Sequence, residues 1–162
     1  MDIRVGFGYD LHPLVEGRPL LLGGVEIPYH MGLKGHSDAD VLLHAITDAL
    51  FGSLSLGDLG SHFPDTDERW KGADSRNLLS GCYSIILSHG FRLVNLDATV
   101  VAEKPKLTPW RDRICESIAG LLDVEVNRVS VKATTNELMG PVGREEAIVA
   151  YATVLVRSPG GG

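Results

Sequence analysis

Asp10 and His12 stand at alternate positions near the start of the chain, and His44 follows the polar run His36-Ser37-Asp38-Ala39-Asp40. Alternate residues of a strand project to one side, so a single strand can carry both Asp10 and His12. A helix beginning near Ser37 then presents His44. Asp, His and His are donors that zinc accepts, and a three-ligand set leaves a fourth position for water or substrate, the layout of a catalytic metal site. Holding all three on one ion ties the N-terminal strand to that helix. Asp40, His44 and Asp48 fall at i, i+4 and i+8, where a carboxylate would orient the His44 nitrogen that is off the metal. Asp48 fits an ordinary polar stripe equally well.

The 162 residues suit one domain with one hydrophobic core. Residues 1–157 are read as that domain, and the Pro- and Gly-rich residues 158–162 as a disordered tail. Fifteen Lys and Arg against 21 Asp and Glu give a net charge of −6, which leaves no electrostatic footprint for nucleic acid but still permits a small anionic substrate. Cys82 and Cys115 lack CxxC spacing and suit small buried positions in a reducing compartment. The start Met1-Asp2-Ile3-Arg4 lacks a signal-like apolar region and no apolar run is long enough for a bilayer, so a soluble intracellular protein with no membrane partner is expected.

Along the chain, Ile3 to Asp10 and Leu20 to Ile27 read as two strands joined by the turn-prone segment Pro13 to Pro19, compatible with a hairpin. Ser37 is the expected cap of the first helix, with Asp38 and Asp40 in its first turn and an end between Gly52 and Gly57. Asp74-Ser75 caps a second helix, with Leu78, Leu79, Cys82, Ile85 and Ile86 inward and Gly90 as its stop. Arg92 to Val101 is a strand, Thr108-Pro109 opens a third helix, and Val129 to Ala133 and Ala147 to Val156 are the last strands. The order ββαα, βαββ predicts an α+β domain with helices packed on one face of a mixed sheet.

Three loops carry chemistry-bearing residues. Asp58-Leu59-Gly60 and Phe63-Pro64-Asp65-Thr66-Asp67 place three carboxylates in one connection; ionised carboxylates only accept hydrogen bonds, so this loop suits polyol hydroxyls or magnesium rather than bare phosphate, unless it is a set of surface turns. Lys132-Ala133-Thr134-Thr135-Asn136-Glu137 leaves a strand end with hydroxyls and backbone N–H groups. It reads either as a plain strand end or as a phosphate cradle with Glu137 as ligand to a hard cation. Ala102 to Thr108 is a second strand-to-helix connection with backbone groups to offer.

Taken together, Tyr9-Asp10-Leu11-His12, the run from His36 to Gly52, Leu56 to Gly60, Phe63 to Asp67 and Lys132 to Glu137 resemble one family, the 2-C-methyl-D-erythritol 2,4-cyclodiphosphate synthases, over residues 3–157. The resemblance implies a homotrimer with active sites between subunits, in the bacterial cytoplasm or, as a mature chain, the plastid stroma. It implies a cytidine diphosphate substrate, 4-diphosphocytidyl-2-C-methyl-D-erythritol 2-phosphate, cyclised with release of CMP in the non-mevalonate isoprenoid pathway. Asp10, His12 and His44 match its zinc ligands, Glu137 its site for Mg2+ or Mn2+ between the substrate phosphates, and His36 and Thr135 its transition-state stabilisers. Asp10, Leu11, His12, His36 and Ser37 also match substrate-binding positions; Asp58, Leu59, Gly60, Phe63, Pro64, Asp65, Thr66 and Asp67 match the methylerythritol pocket. Ala102, Glu103, Lys104, Pro105, Lys106, Leu107, Thr108, Thr134, Thr135 and Asn136 match the cytidine and phosphate side.

The sequence departs from the family pattern after Glu137: Leu138 stands where lysine is common, Pro141-Val142 where Phe-Thr is common, and Glu145 and Ala147 where glycines are common. In the family this stretch lines an axial cavity that can hold an isoprenoid diphosphate; here Arg144 remains as an anion ligand but the phenylalanine is gone. Two other functions fit parts of the pattern. One is a zinc hydrolase that directs water at a phosphate ester, and the other is a noncatalytic trimer that senses isoprenoid diphosphates.

Overall fold

The computed structural model describes residues 1–159. A five-stranded sheet runs in the order β4-β1-β7-β5-β6, built from β1 (Asp2–Glu16), β4 (Met31–Leu33), β5 (Arg92–Val101), β6 (Val129–Thr134) and β7 (Ala147–Ser158). Every neighbouring pair is antiparallel except β5 with β6, so the sheet is mixed. A separate two-stranded ribbon pairs β2 (Leu20–Leu22) with β3 (Val25–Ile27). The helices are α1 (Val41–Ser53), α2 (Leu59–His62), α3 (Ser75–Ser88), α4 (Arg111–Leu121) and α5 (Gly140–Gly143). The expected single α+β domain is what the chain forms.

Alternation on the long strands decides where the core lies. Even-numbered residues of β7 (Ile148, Ala150, Ala152, Val154, Val156) and of β5 (Leu96, Ala98, Val100) are buried with α1, α3 and α4 in one cluster. α1 is apolar nearly all round, with Val41 to Ile46 and Ala49 to Phe51 buried, as suits a helix enclosed between sheet and helices. It meets β1 at two glycines: a Cβ on Gly6 would lie 1.8 Å from the Ala49 carbonyl oxygen, and one on Gly8 would lie 1.9 Å from that of Ala45. Backbone touches backbone there, and no side chain fits between. On the other face Ile3, Val5, Phe7, Tyr9, Leu11 and Tyr151 are exposed, with Tyr9 and Tyr151 rings 5.3 Å apart.

Several expectations need correction. Leu20 to Ile27 is two strands folded on each other about Gly23-Gly24, whose φ values of 63° and 76° are those of a tight hairpin turn, and not one strand paired with β1. β1 extends to Glu16 and pairs with β7 and with β4, a strand too short to announce itself by alternation. α1 begins at Val41; its cap is Asp40, whose carboxylate accepts from Leu43 N at 3.0 Å, while Ser37 lies outside the helix. Thr108 makes no side-chain cap; Thr108–Trp110 is a 3-10 turn leading into α4. Ile85 is only half-buried, and Tyr83 takes its place on the inward face of α3. Ser158 closes β7, and residues 160–162 of the expected tail lie outside the described residues.

Replacing Gly8 with alanine forces β1 off α1 and should destabilise the protein by about 3 kcal/mol or more, beyond the usual cost of overpacking a core. Urea unfolding of Gly8→Ala against wild type measures it, and equal midpoints would refute this account of the strand–helix contact.

Candidate active site

The β1–α1 contact brings the three predicted metal ligands together. Asp10 Oδ2 lies 3.0 Å from both His12 Nε2 and His44 Nδ1, and the two ring nitrogens lie 3.1 Å apart. Ligands bonded at ~2.1 Å at tetrahedral angles stand about 3.4 Å from one another, so the cluster fits one small divalent cation with minor expansion. Its chemistry fits as well. His12 Nδ1 donates to the Lys34 carbonyl at 2.8 Å, which leaves Nε2 as a lone pair facing the Asp10 carboxylate. Acceptors crowded in this way call for a cation. In the metal-free protein a proton between Asp10 and His12 answers that demand: burial opposes charge on both residues, yet their mutual hydrogen bond and charge win, raising the pKa of His12 and holding Asp10 at about 2.

The carboxylates expected to orient His44 do other work. Asp40 is fully buried, and besides capping α1 it accepts from Gly23 N at 3.0 Å and Gly24 N at 2.7 Å, pinning the β2–β3 turn to the helix; burial pushes its carboxyl up against these donors. Asp48 accepts from Leu59 N at 2.7 Å and so anchors the Asp58 loop to α1. His44 Nε2 instead meets Ser75 Oγ at 2.9 Å and Ser37 Oγ at 3.2 Å. The sequence marks Ser75 only as part of a helix start. Arg18, also missed, donates to the carbonyls of Gly35 at 3.0 Å and Ser37 at 2.8 Å and so holds the loop that carries the exposed His36. Leu11 points to the opposite, exposed face.

The remaining predicted residues form two further groups. Asp58 caps α2, accepting from the backbone and hydroxyl of Ser61 at 2.8 and 2.6 Å, which hold its carboxyl below the usual range. Leu59 and Gly60 follow in that helix, Phe63 packs edge-on to Trp70, and Pro64 is half-buried. Asp65 and Thr66 are exposed, whereas Asp67 is paired with Arg69 at 2.6 Å. The second group lines an open cleft of about 290 Å³ formed by Ala102, Glu103, Pro105, Lys106, Leu107 and Thr108 on one wall and Ala133, Thr134 and Thr135 on the other. Glu103 accepts from Asn136 N at 3.2 Å and Leu138 N at 3.4 Å, which fixes the loop bearing the exposed Glu137. Lys104 pairs with Glu145 at 3.3 Å, and Arg144 with Glu146 at 2.8 Å.

Register places the cleft and the metal cluster at one end of the sheet, since Asp10 faces Ala150, Val149 faces Val101 and Val101 faces Thr134. Three strand spacings of about 4.8 Å nevertheless separate β1 from β6, roughly 14 Å.

The YgbB family model matches residues 3–157. Among similar curated proteins, the 2-C-methyl-D-erythritol 2,4-cyclodiphosphate synthases of Burkholderia mallei and Burkholderia pseudomallei are each 59% identical over 156 residues, 96% of this chain and 96% of theirs. Among solved structures, the bifunctional IspDF of Campylobacter jejuni superposes with a TM-score of 0.94 at 44% identity, covering 98% of this chain and 43% of that longer one. A CDP-bound 2C-methyl-D-erythritol-2,4-cyclodiphosphate synthase gives a TM-score of 0.88 at 36% identity, covering 95% of this chain and 100% of that one. The chain belongs to the YgbB family, that of the 2-C-methyl-D-erythritol 2,4-cyclodiphosphate synthases.

Proposed function

We infer that this chain converts 4-diphosphocytidyl-2-C-methyl-D-erythritol 2-phosphate to 2-C-methyl-D-erythritol 2,4-cyclodiphosphate and CMP, in the non-mevalonate pathway to isoprenoids. The observation that carries this reading is the convergence of Asp10, His12 and His44 in a chain so close to synthases of that name. An oxygen of the 2-phosphate attacks the β-phosphorus, the bond from that phosphorus to the bridging oxygen breaks, and CMP leaves with the bridging oxygen. Phosphoryl transfer between anions asks the protein for alignment and for relief of charge repulsion, with little covalent work.

Asp10, His12 and His44 would hold Zn2+, and Glu137 would help hold Mg2+ or Mn2+, two cations that offset charge on the phosphoryl oxygens. His36 and Thr135, both exposed beside these groups, donate to the same oxygens, with Ser37 next to the first. Asp58 and Asp65 accept the methylerythritol hydroxyls, and the 102–108 cleft takes the cytidine; a bound CDP in a related synthase supports that assignment. No isoprenoid diphosphate enters this reading, because Arg144 is already paired with Glu146 and Pro141-Val142 offers no aromatic wall.

The active unit is a homotrimer. The roughly 14 Å between β1 and β6 of one subunit is too wide for one diphosphate to meet both cluster and cleft, so a neighbour's cleft completes each site. The uncovered Ile3, Val5, Phe7, Tyr9 and Leu11 form an apolar face suited to the assembly. Two buried-type cysteines, both unpaired among the described residues, suit a reducing interior such as the cytoplasm.

Purified protein with zinc and magnesium should release CMP and leave both products unlabelled in oxygen-18 water; label in a product would favour the hydrolase. His44→Ala should lose bound zinc and nearly all CMP release while still folding, and metal-independent turnover would refute its role. Asp58→Ala should raise KM far more than it lowers kcat, whereas a loss of metal would misplace the polyol pocket. Phe7→Asp should shift sedimentation from trimer to monomer and abolish CMP release with the zinc site retained.

A further inference from the structure

His44 has a partner on the side away from the cluster whose hydrogen-bonding logic leaves one arrangement. Ser75 is fully buried at the first turn of α3. Its hydroxyl is bonded to Asp38 Oδ1, and its backbone N–H donates to Asp38 Oδ2 at 2.9 Å. An ionised carboxylate cannot donate, so the single hydroxyl proton of Ser75 goes to Asp38. Toward His44 Nε2, 2.9 Å away, Ser75 can then only accept. Nε2 must carry hydrogen, and Nδ1 is left as the lone pair that faces Asp10 and His12. Ser37 Oγ, further off at 3.2 Å, accepts from Ala39 N at 3.1 Å and keeps a second lone pair that can share the Nε2 proton. Its own hydroxyl proton is not used by the Ala39 bond, so it is the nearer Ser75, able only to accept, that requires hydrogen on Nε2.

We propose that Ser75, backed by Asp38, is a positioning residue that fixes the tautomer and ring orientation of His44 and so presents Nδ1 to the divalent cation. The proposal rests on the reading of Asp10, His12 and His44 as a zinc site. His12 is held in the complementary way by the Lys34 carbonyl, so each ring is tied at the nitrogen that is off the metal. Hydrogen bonds of this kind raise ligand basicity and remove the wrong tautomer before the metal arrives.

Two measurements test it. In the metal-free wild type at alkaline pH, nitrogen-15 shifts of His44 should show hydrogen on Nε2; hydrogen on Nδ1 overturns the proposal whatever the metal content. Zinc affinity by chelator competition should fall about 10- to 100-fold in Ser75→Ala, with both His44 tautomers appearing in the metal-free variant, and Ser75→Thr should restore most of the affinity. Ser75→Ala with wild-type affinity and a single tautomer would overturn the proposal, as would a threonine variant that folds but rescues nothing. If wild type binds no zinc, the metal reading falls by itself while the tautomer still judges the role of Ser75.

Discussion

The fold turns on the contact of α1 with β1 through Gly6 and Gly8. Interiors pack near crystal density, so a helix ordinarily stands off a sheet by the thickness of the side chains between them. Here that layer is missing over two residues of one strand, with hypothetical Cβ atoms under 2 Å from helix carbonyl oxygens. Just beyond the glycines the same strand face carries Asp10 and His12, and one turn before Asp48 the same helix carries His44. Ligands on short side chains can meet only because the backbones have already met.

The buried polar side chains divide cleanly around this contact. Among the described residues they are Asp40, His44, Thr47, Ser53 and Ser75. Thr47 and Ser53 return their protons to carbonyls of their own helix, at Leu43 and Leu50, and are locally satisfied. Asp40 binds three backbone N–H groups, two of them from a turn sixteen and seventeen residues upstream. Leaving such a group unpaired costs on the order of 1–3 kcal/mol, so these bonds specify how the β2–β3 ribbon seats on α1 as well as stabilising it.

Asp10, His12 and His44 were legible as candidate metal ligands from residue type and element type, which are local properties, together with the resemblance of the motifs around them to one family; spacing alone did not decide it. Local properties also mark β5, whose limits of Arg92 and Val101 follow from alternation, and α3, whose Asp74 cap sits directly before it. What escaped depended on distant partners. Three residues in the run from Ser37 to Asp40, namely Ser37, Asp38 and Asp40, are good helix caps, and Asp40 is chosen by the Gly23-Gly24 amides and by the left-handed Ala39 at φ 59°. Helical spacing nominated Asp40 and Asp48 as companions to His44, but Ser75, thirty-one residues on, takes the bond because α3 packs its first turn against α1. On β1 the apolar row Ile3, Val5, Phe7, Tyr9 and Leu11 alternates with Arg4, Gly6, Gly8, Asp10 and His12, and alternation alone would put the apolar row inward; the close approach of α1 at the two glycines leaves it uncovered instead.

The long connection between α1 and α3 is tethered at both ends to what surrounds the metal ligands: Asp48 holds Leu59, while His36 and Asp38 hold Gly72 and Ala73 by backbone bonds of 2.9 and 3.1 Å. Its span from Asp65 to Arg69 is mostly exposed. A closed loop of this kind can change shape at its apex without transmitting force to its base, much as a handle bends without loosening its rivets. Displacement of the exposed apex therefore need not disturb the mutual placement of Asp10, His12 and His44, which rests on α1 and β1 below it.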